Sequence, residues 1–135
     1  MIVYQDAKLT LDLFETDRIL FASWPGYENS NDFESAMQAL LECLQVHGVS
    51  KLLMDARFYH TSASVATNWL NELLYNTFPK TNLQKIARLA FPDTAFETTL
   101  LQVISSYQKE TRTDYEIASF NNTSDAFSWL RNLLA

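Results

Sequence analysis

The spacing of apolar residues along the chain switches between a period of two and a period near 3.6, which are the spacings of strands and helices. The leucines of residues 9–13 alternate with polar side chains, and residues 19–24 form a second alternating run after the polar cluster 15–17. Two such runs joined by turn-forming residues predict an antiparallel hairpin. Residues 2–5 predict a short strand ahead of it.

After this hairpin, segments with an amphipathic helical pattern alternate with short apolar runs. The predicted helices begin near residues 31, 61, 94 and 123, and the predicted strands between them cover residues 51–55, 86–91 and 115–120. Such alternation requires parallel strands joined by right-handed crossovers, whereas the hairpin adds antiparallel ones. The sequence therefore predicts one α/β domain over residues 1–135, with a mixed β-sheet whose N-terminal antiparallel hairpin is followed by βαβαβα.

Length and composition exclude several classes of protein. The chain has 135 residues, of which 47% are hydrophobic, and this suits a single globular domain. The formal net charge of −6 disfavours nucleic acid as a partner. The single cysteine, Cys43, permits no internal disulfide or zinc cage, and the two glycines, Gly26 and Gly48, permit no phosphate-binding loop. We therefore expect no metal and no cofactor.

The N-terminal residues and the short apolar runs bear on location. Residues 1–8 lack the basic start and apolar core of a signal peptide, and no run approaches the roughly 18 apolar residues of a membrane helix. A free thiol suits a reducing compartment. We expect a cytoplasmic protein without stable membrane insertion.

Five segments resemble the bacterial STAS family (sulfate transporter and anti-sigma antagonist), in particular its SpoIIAA-like branch. They are residues 19–26, residues 51–57, the pair Trp69-Leu70, residues 85–92, and the C-terminal run 120–130 with its Ala-x-x-Trp-Leu ending. The resemblance covers nearly the whole chain and implies a STAS-like fold in a regulatory protein without a catalytic motif. Anti-sigma antagonists carry a phosphorylated serine in an Asp-Ser-Ser-Gly motif, and the matching stretch here is Ala-Ser-Val-Ala over residues 63–66. The resemblance thus places Ser64 at the phosphoacceptor position, but without the acid and glycine around it.

Candidate binding residues follow the predicted parallel strands, because ligands of open α/β sheets lie beyond the carboxyl ends of these strands. A catalytic interpretation makes His60 a base oriented by Asp55, with a nearby serine as nucleophile. The chain lacks the Gly-x-Ser-x-Gly elbow that such a nucleophile uses, so we assign no catalytic residue. We instead expect a ligand or partner surface formed by Asp55, Arg57, Tyr59, His60, Ser64, Asp93 and Asn121.

Arg88 stands inside an otherwise apolar predicted strand. An unpaired buried charge is costly, so we expect a structural ion pair. Glu116 on the neighbouring strand is the predicted partner, with Asp55 on the other side as the alternative.

These observations favour a non-enzymatic interaction or regulatory module with a protein partner. Large apolar residues near helix edges, namely Trp129, Leu101 and Tyr75, exceed what a small core uses and predict a homodimer. Two alternatives stay open. One is a domain that binds a small apolar ligand or lipid in an enclosed cavity, and the other is a phosphoswitch at Ser64.

Overall fold

The computed structural model describes residues 1–7, 9–23, 30–55, 63–90, 95–110 and 115–132. None of the helices in these ranges is long and apolar enough to cross a membrane. The six strands are β1 (Ile2–Gln5), β2 (Thr10–Phe14), β3 (Ile19–Ser23), β4 (Lys51–Asp55), β5 (Lys85–Leu89) and β6 (Glu116–Phe120), and the four α-helices are α1 (Ser30–His47), α2 (Ala63–Glu72), α3 (Ala95–Glu110) and α4 (Thr123–Leu130).

The strands form one mixed sheet in which spatial order equals sequence order, from β1 to β6. β1, β2 and β3 pair antiparallel, and β3 to β6 pair parallel. The single α/β domain and mixed sheet predicted from the sequence are confirmed. Gly48 has φ +59 directly after α1, which is the left-handed conformation predicted for it.

Helices cover the two faces of the sheet unequally. Each parallel strand lies directly beside the one before it, so right-handed crossovers bring α1, α2 and α3 to the same face. α4 follows the last strand and packs on the opposite face through Ala126 and Leu130. Side chains alternate between the faces along β4: Leu52 belongs to the large core under α1–α3, and Leu53 belongs to the small core under α4.

The end of α2 is irregular, partly because a proline there has no backbone N–H to donate. The helix continues into a π-helical turn (Leu73–Thr77) and a 3₁₀ turn (Phe78–Lys80). In the π-helical register the carbonyl of Leu74 would accept from residue 79, but Pro79 has no N–H. The Tyr115 hydroxyl donates to this carbonyl instead, at 3.3 Å, and lies 2.6 Å from the Tyr107 hydroxyl.

The start of α4 differs by one residue from expectation. The pattern predicts Thr123 as the capping residue, but Asn122 has the extended backbone of an N-cap, and its Oδ1 accepts from the Asp125 amide at 2.8 Å. Thr123 is the first helical residue. Both side chains are good caps, so the sequence alone did not separate them.

Candidate functional site

The unequal distribution of helices creates a switch point between β5 and β6. The chain leaves β5 toward α3 on one face and leaves β6 toward α4 on the other, so the two connections diverge. In open α/β sheets, such divergence leaves a crevice beyond the carboxyl ends of the strands. A crevice of about 520 Å³ lies here, and its lining comes from the ends of β5 and β6 and the first turns of α3: Ala90, Glu97, Thr98, Leu101, Ser119, Phe120 and Asn121.

The polar floor of this crevice includes Glu97, which forms a buried ion pair with Arg88. Arg88 on β5 and Glu97 on α3 are 9% and 6% exposed, and Arg88 Nη2 donates to Glu97 Oε1 at 2.7 Å. Arg88 Nη1 also donates to Ser119 Oγ on β6, at 3.0 Å. The guanidinium and the carboxylate therefore neutralise one another, and the pair joins α3 to two strands at the same point.

The expected Arg88 ion pair is present, but its predicted acidic partner, Glu116, is wrong. Ser119 lies opposite Arg88 in the parallel register, whereas Glu116 lies opposite Lys85. Three residues of strand separate these positions by about 10 Å. The side chain of Glu116 also falls on the α4 face together with Phe120, whereas Arg88 points toward α3.

The sequence predicts a different role for Glu97, a capping box with Thr94, which lies three residues earlier and outside the described residues. A second signal was present in the same helix. Glu97 precedes Leu100, Ile104 and Tyr107 by three, seven and ten residues, so it lies on the buried stripe of α3. An acid on a buried stripe needs a cation, and Arg88 is the buried cation of the strand directly before it.

The rim of the crevice combines apolar and hydrogen-bonding groups. Leu101 is 45% exposed, and Phe120 is half-buried with its ring 5.6 Å from that of Trp129. Asn121 is exposed and adds an amide. A groove with hydroxyl, amide and aliphatic groups, and with its charges already paired, suits a polypeptide segment or a small polar molecule.

The structure places three of the seven predicted surface residues. Asn121 lines the crevice, as its place after β6 predicted. Asp55 ends β4, the strand next to β5, and does not line the crevice. Ser64 lies in the first turn of α2. The phosphoswitch at Ser64 stays a prediction. The other four residues lie outside the described ranges: Arg57, Tyr59, His60 and Asp93.

Two other grooves lie on the described surface. One, between α2 and α3, contains Tyr75, whose hydroxyl donates to Glu110 Oε2 at 3.2 Å. The other borders the β2–β3 turn. Neither has the buried polar floor of the β5–β6 crevice. Binding of a lipid or a small apolar ligand requires an enclosed apolar cavity, and this alternative stays a prediction.

In the part of the chain that the structure describes, no three His, Cys, Asp or Glu side chains cluster closely enough to hold a metal ion. The Cys43 thiol is half-buried, and this burial, with the nearby Glu42, raises its pKa. The pKa of Tyr115 is also raised, first by burial and then by its hydrogen bond to Tyr107.

Comparison with known proteins found no match among protein-family models, curated proteins or solved structures.

Proposed function

We propose that this protein is a non-enzymatic regulatory module of STAS/SpoIIAA-like type that binds a protein partner at the β5–β6 crevice. An antiparallel entry into a sheet that continues as βαβαβα supports the STAS-like part of the proposal. The observation that carries the binding part is the crevice itself, because its rim offers exposed Leu101 and Asn121 beside a charge-paired floor.

The chemistry of the crevice favours recognition of an uncharged, partly apolar segment. The ion pair fixes α3 against β5 and β6, so the groove is formed before a partner arrives, which lowers the entropic cost of binding. Ser119 and Asn121 can form hydrogen bonds that set the orientation of the partner. Leu101 supplies an exposed apolar side chain whose burial against the partner would favour binding.

Site-specific photo-crosslinking in the native cell tests this proposal. A photoreactive amino acid replaces Leu101 in one variant and Val46 in a control variant, since Val46 is 78% exposed on α1, away from the crevice. We expect a discrete product with one other protein from position 101, beside any product with a second copy of this chain, and none from position 46.

The identified partner is then purified and its affinity for the intact protein is measured. We expect Leu101→Asp to weaken binding about tenfold, or about 1.4 kcal/mol, while Val46→Asp leaves it unchanged. The proposal is wrong if position 101 captures nothing beyond a second copy of this chain, or if both substitutions weaken binding equally.

A further inference from the structure

The two edges of the sheet differ in how they are protected against pairing with another strand. β1 carries an irregularity in register between Ile2 and Tyr4, of the kind that disrupts further pairing. β6 pairs with β5 in an unbroken register over all five residues, and it contains no proline and one charge, Glu116. Within the described ranges, no strand pairs with the outer side of β6.

The backbone of β6 identifies which groups face outward. The amide of Glu116 donates to Gln84 and the carbonyl of Phe120 accepts from Ala90, so these two residues bond toward β5. Because backbone direction alternates along a strand, Ala118 also bonds toward β5, and Ile117 and Ser119 present their N–H and C=O groups outward. The free edge thus offers two donors and two acceptors.

We propose that β6 pairs antiparallel with β6 of a second copy of this chain, across a two-fold axis at Ala118, and joins the two sheets into one. In this register Ile117 of each copy pairs with Ser119 of the other, which satisfies all outward backbone groups reciprocally with four hydrogen bonds. Each copy supplies the strand that the other lacks.

Side chains on both faces fit this register. On the α3 face, Ile117 of the second copy lies beside Ser119 and reaches the exposed Leu101, which shares the crevice lining with Ser119. On the α4 face, Glu116 lies opposite Phe120 of the second copy. The two Glu116 carboxylates are therefore kept about four residues, roughly 14 Å, apart. A parallel pairing in register would instead place these like charges side by side, which is unfavourable.

Disulfide trapping tests the register directly, in a Cys43→Ser background so that no other thiol is present. Ala118 faces its own copy across the axis in a non-hydrogen-bonded pair, where Cα atoms lie about 4.5 Å apart, within the range of a disulfide. We expect Ala118→Cys to form a covalent dimer under mild oxidation. Glu116→Cys is the matched control and should not, because its Cα atoms are far beyond disulfide reach.

Sedimentation equilibrium of the unmodified protein gives an independent result. We expect a dimer at tens of micromolar, weakened at least tenfold by Leu101→Asp and unaffected by Val46→Asp. A monomer at this concentration, or a cross-link from Glu116→Cys as efficient as from Ala118→Cys, would overturn the proposal. These measurements use the purified chain alone, so their failure is distinguishable from failure of the proposed partner binding.

Discussion

The two faces of the sheet differ in which side chains they bury and in how completely helices cover them. The face under α1–α3 buries a large aliphatic core, and it also holds the Arg88–Glu97 pair and the Tyr107–Tyr115 hydroxyl pair. The face under α4 holds a small core rimmed by half-buried aromatic rings, such as Phe14 packed edge-on against Phe127 at 5.1 Å.

This difference shows where a fold of this size can accommodate polar groups. Three helices exclude water from one face, so a charge or hydroxyl there needs a partner within the protein. One helix of eight residues leaves the other face partly open, and aromatic rings suit it because they bury much area with few neighbours. The crevice lies where the two kinds of cover meet.

The largest expected effect comes from breaking the buried ion pair. Arg88→Met leaves Glu97 buried without its cation and should lower the free energy of unfolding by about 3–5 kcal/mol, measured by urea denaturation. The matched control is Arg131→Met, which breaks an exposed 2.9 Å pair with Asp17 and should cost about 0–1 kcal/mol.

A double variant sharpens this test. Arg88→Met combined with Glu97→Leu removes both charges and should recover most of the lost stability, because no uncompensated charge remains. Equal costs for Arg88→Met and Arg131→Met would show that water reaches the pair, and that the three-helix face is not sealed.

Adjacent leucines on β4 compare the two cores directly. Leu52 and Leu53 are both 0% exposed, but they point to opposite faces. Replacement of a buried leucine by alanine costs about 2–5 kcal/mol, and the cost is larger where surrounding groups cannot close the cavity. We expect Leu52→Ala near the upper end and Leu53→Ala near the lower end, because the single short helix α4 can move inward. A larger loss from Leu53→Ala, measured by the same denaturation, would reverse this ranking.

The sequence predicted the element order and the buried state of Arg88, because both depend on local periodicity. It did not predict the partner of Arg88, since that choice depends on which turn of α3 lies above β5. The π-helical turn was also missed, because it combines the missing N–H of Pro79 with the hydroxyl of Tyr115, which lies 41 residues after Leu74. The crevice could not be predicted from local patterns, because it exists only where α4 lies on the opposite face of the sheet from α3.

Tyr115 makes the stability of the three-helix face depend on pH. Its pKa is raised in the folded protein, so the folded state keeps the proton at a pH where the unfolded chain, with a pKa of about 10, loses it. The stabilisation that this raised pKa gives the folded state is fully present below about pH 10 and is lost as the pH rises toward the folded pKa. We expect Tyr115→Phe to cost about 1–2 kcal/mol at pH 7, because the Leu74 carbonyl loses its donor.

Denaturation repeated at increasing alkaline pH checks this expectation. The unmodified protein should lose stability more steeply above pH 10 than Tyr115→Phe does. Tyr75→Phe is the comparison: its pKa is also raised, by partial burial and by the nearby Glu110, but the residue is 45% exposed, so its removal should change the alkaline slope less than Tyr115→Phe does. Parallel slopes for the unmodified protein and Tyr115→Phe would show that this hydroxyl is not sequestered.

The smallest expected effect concerns the single helix that covers the other face. Asn122→Ala removes the side-chain acceptor of the Asp125 amide and should cost about 1 kcal/mol. Asn121→Ala, one residue earlier, removes only an exposed hydrogen bond from Asn122 Nδ2 and leaves the Asp125 amide bonded, so it should cost a few tenths of that. Because α4 is the only described cover of the small core, hydrogen exchange in Asn122→Ala should accelerate in α4 and leave α1 unchanged. Acceleration spread evenly over both helices would mean that the two faces unfold as one unit, and that their difference in cover does not produce a difference in local stability.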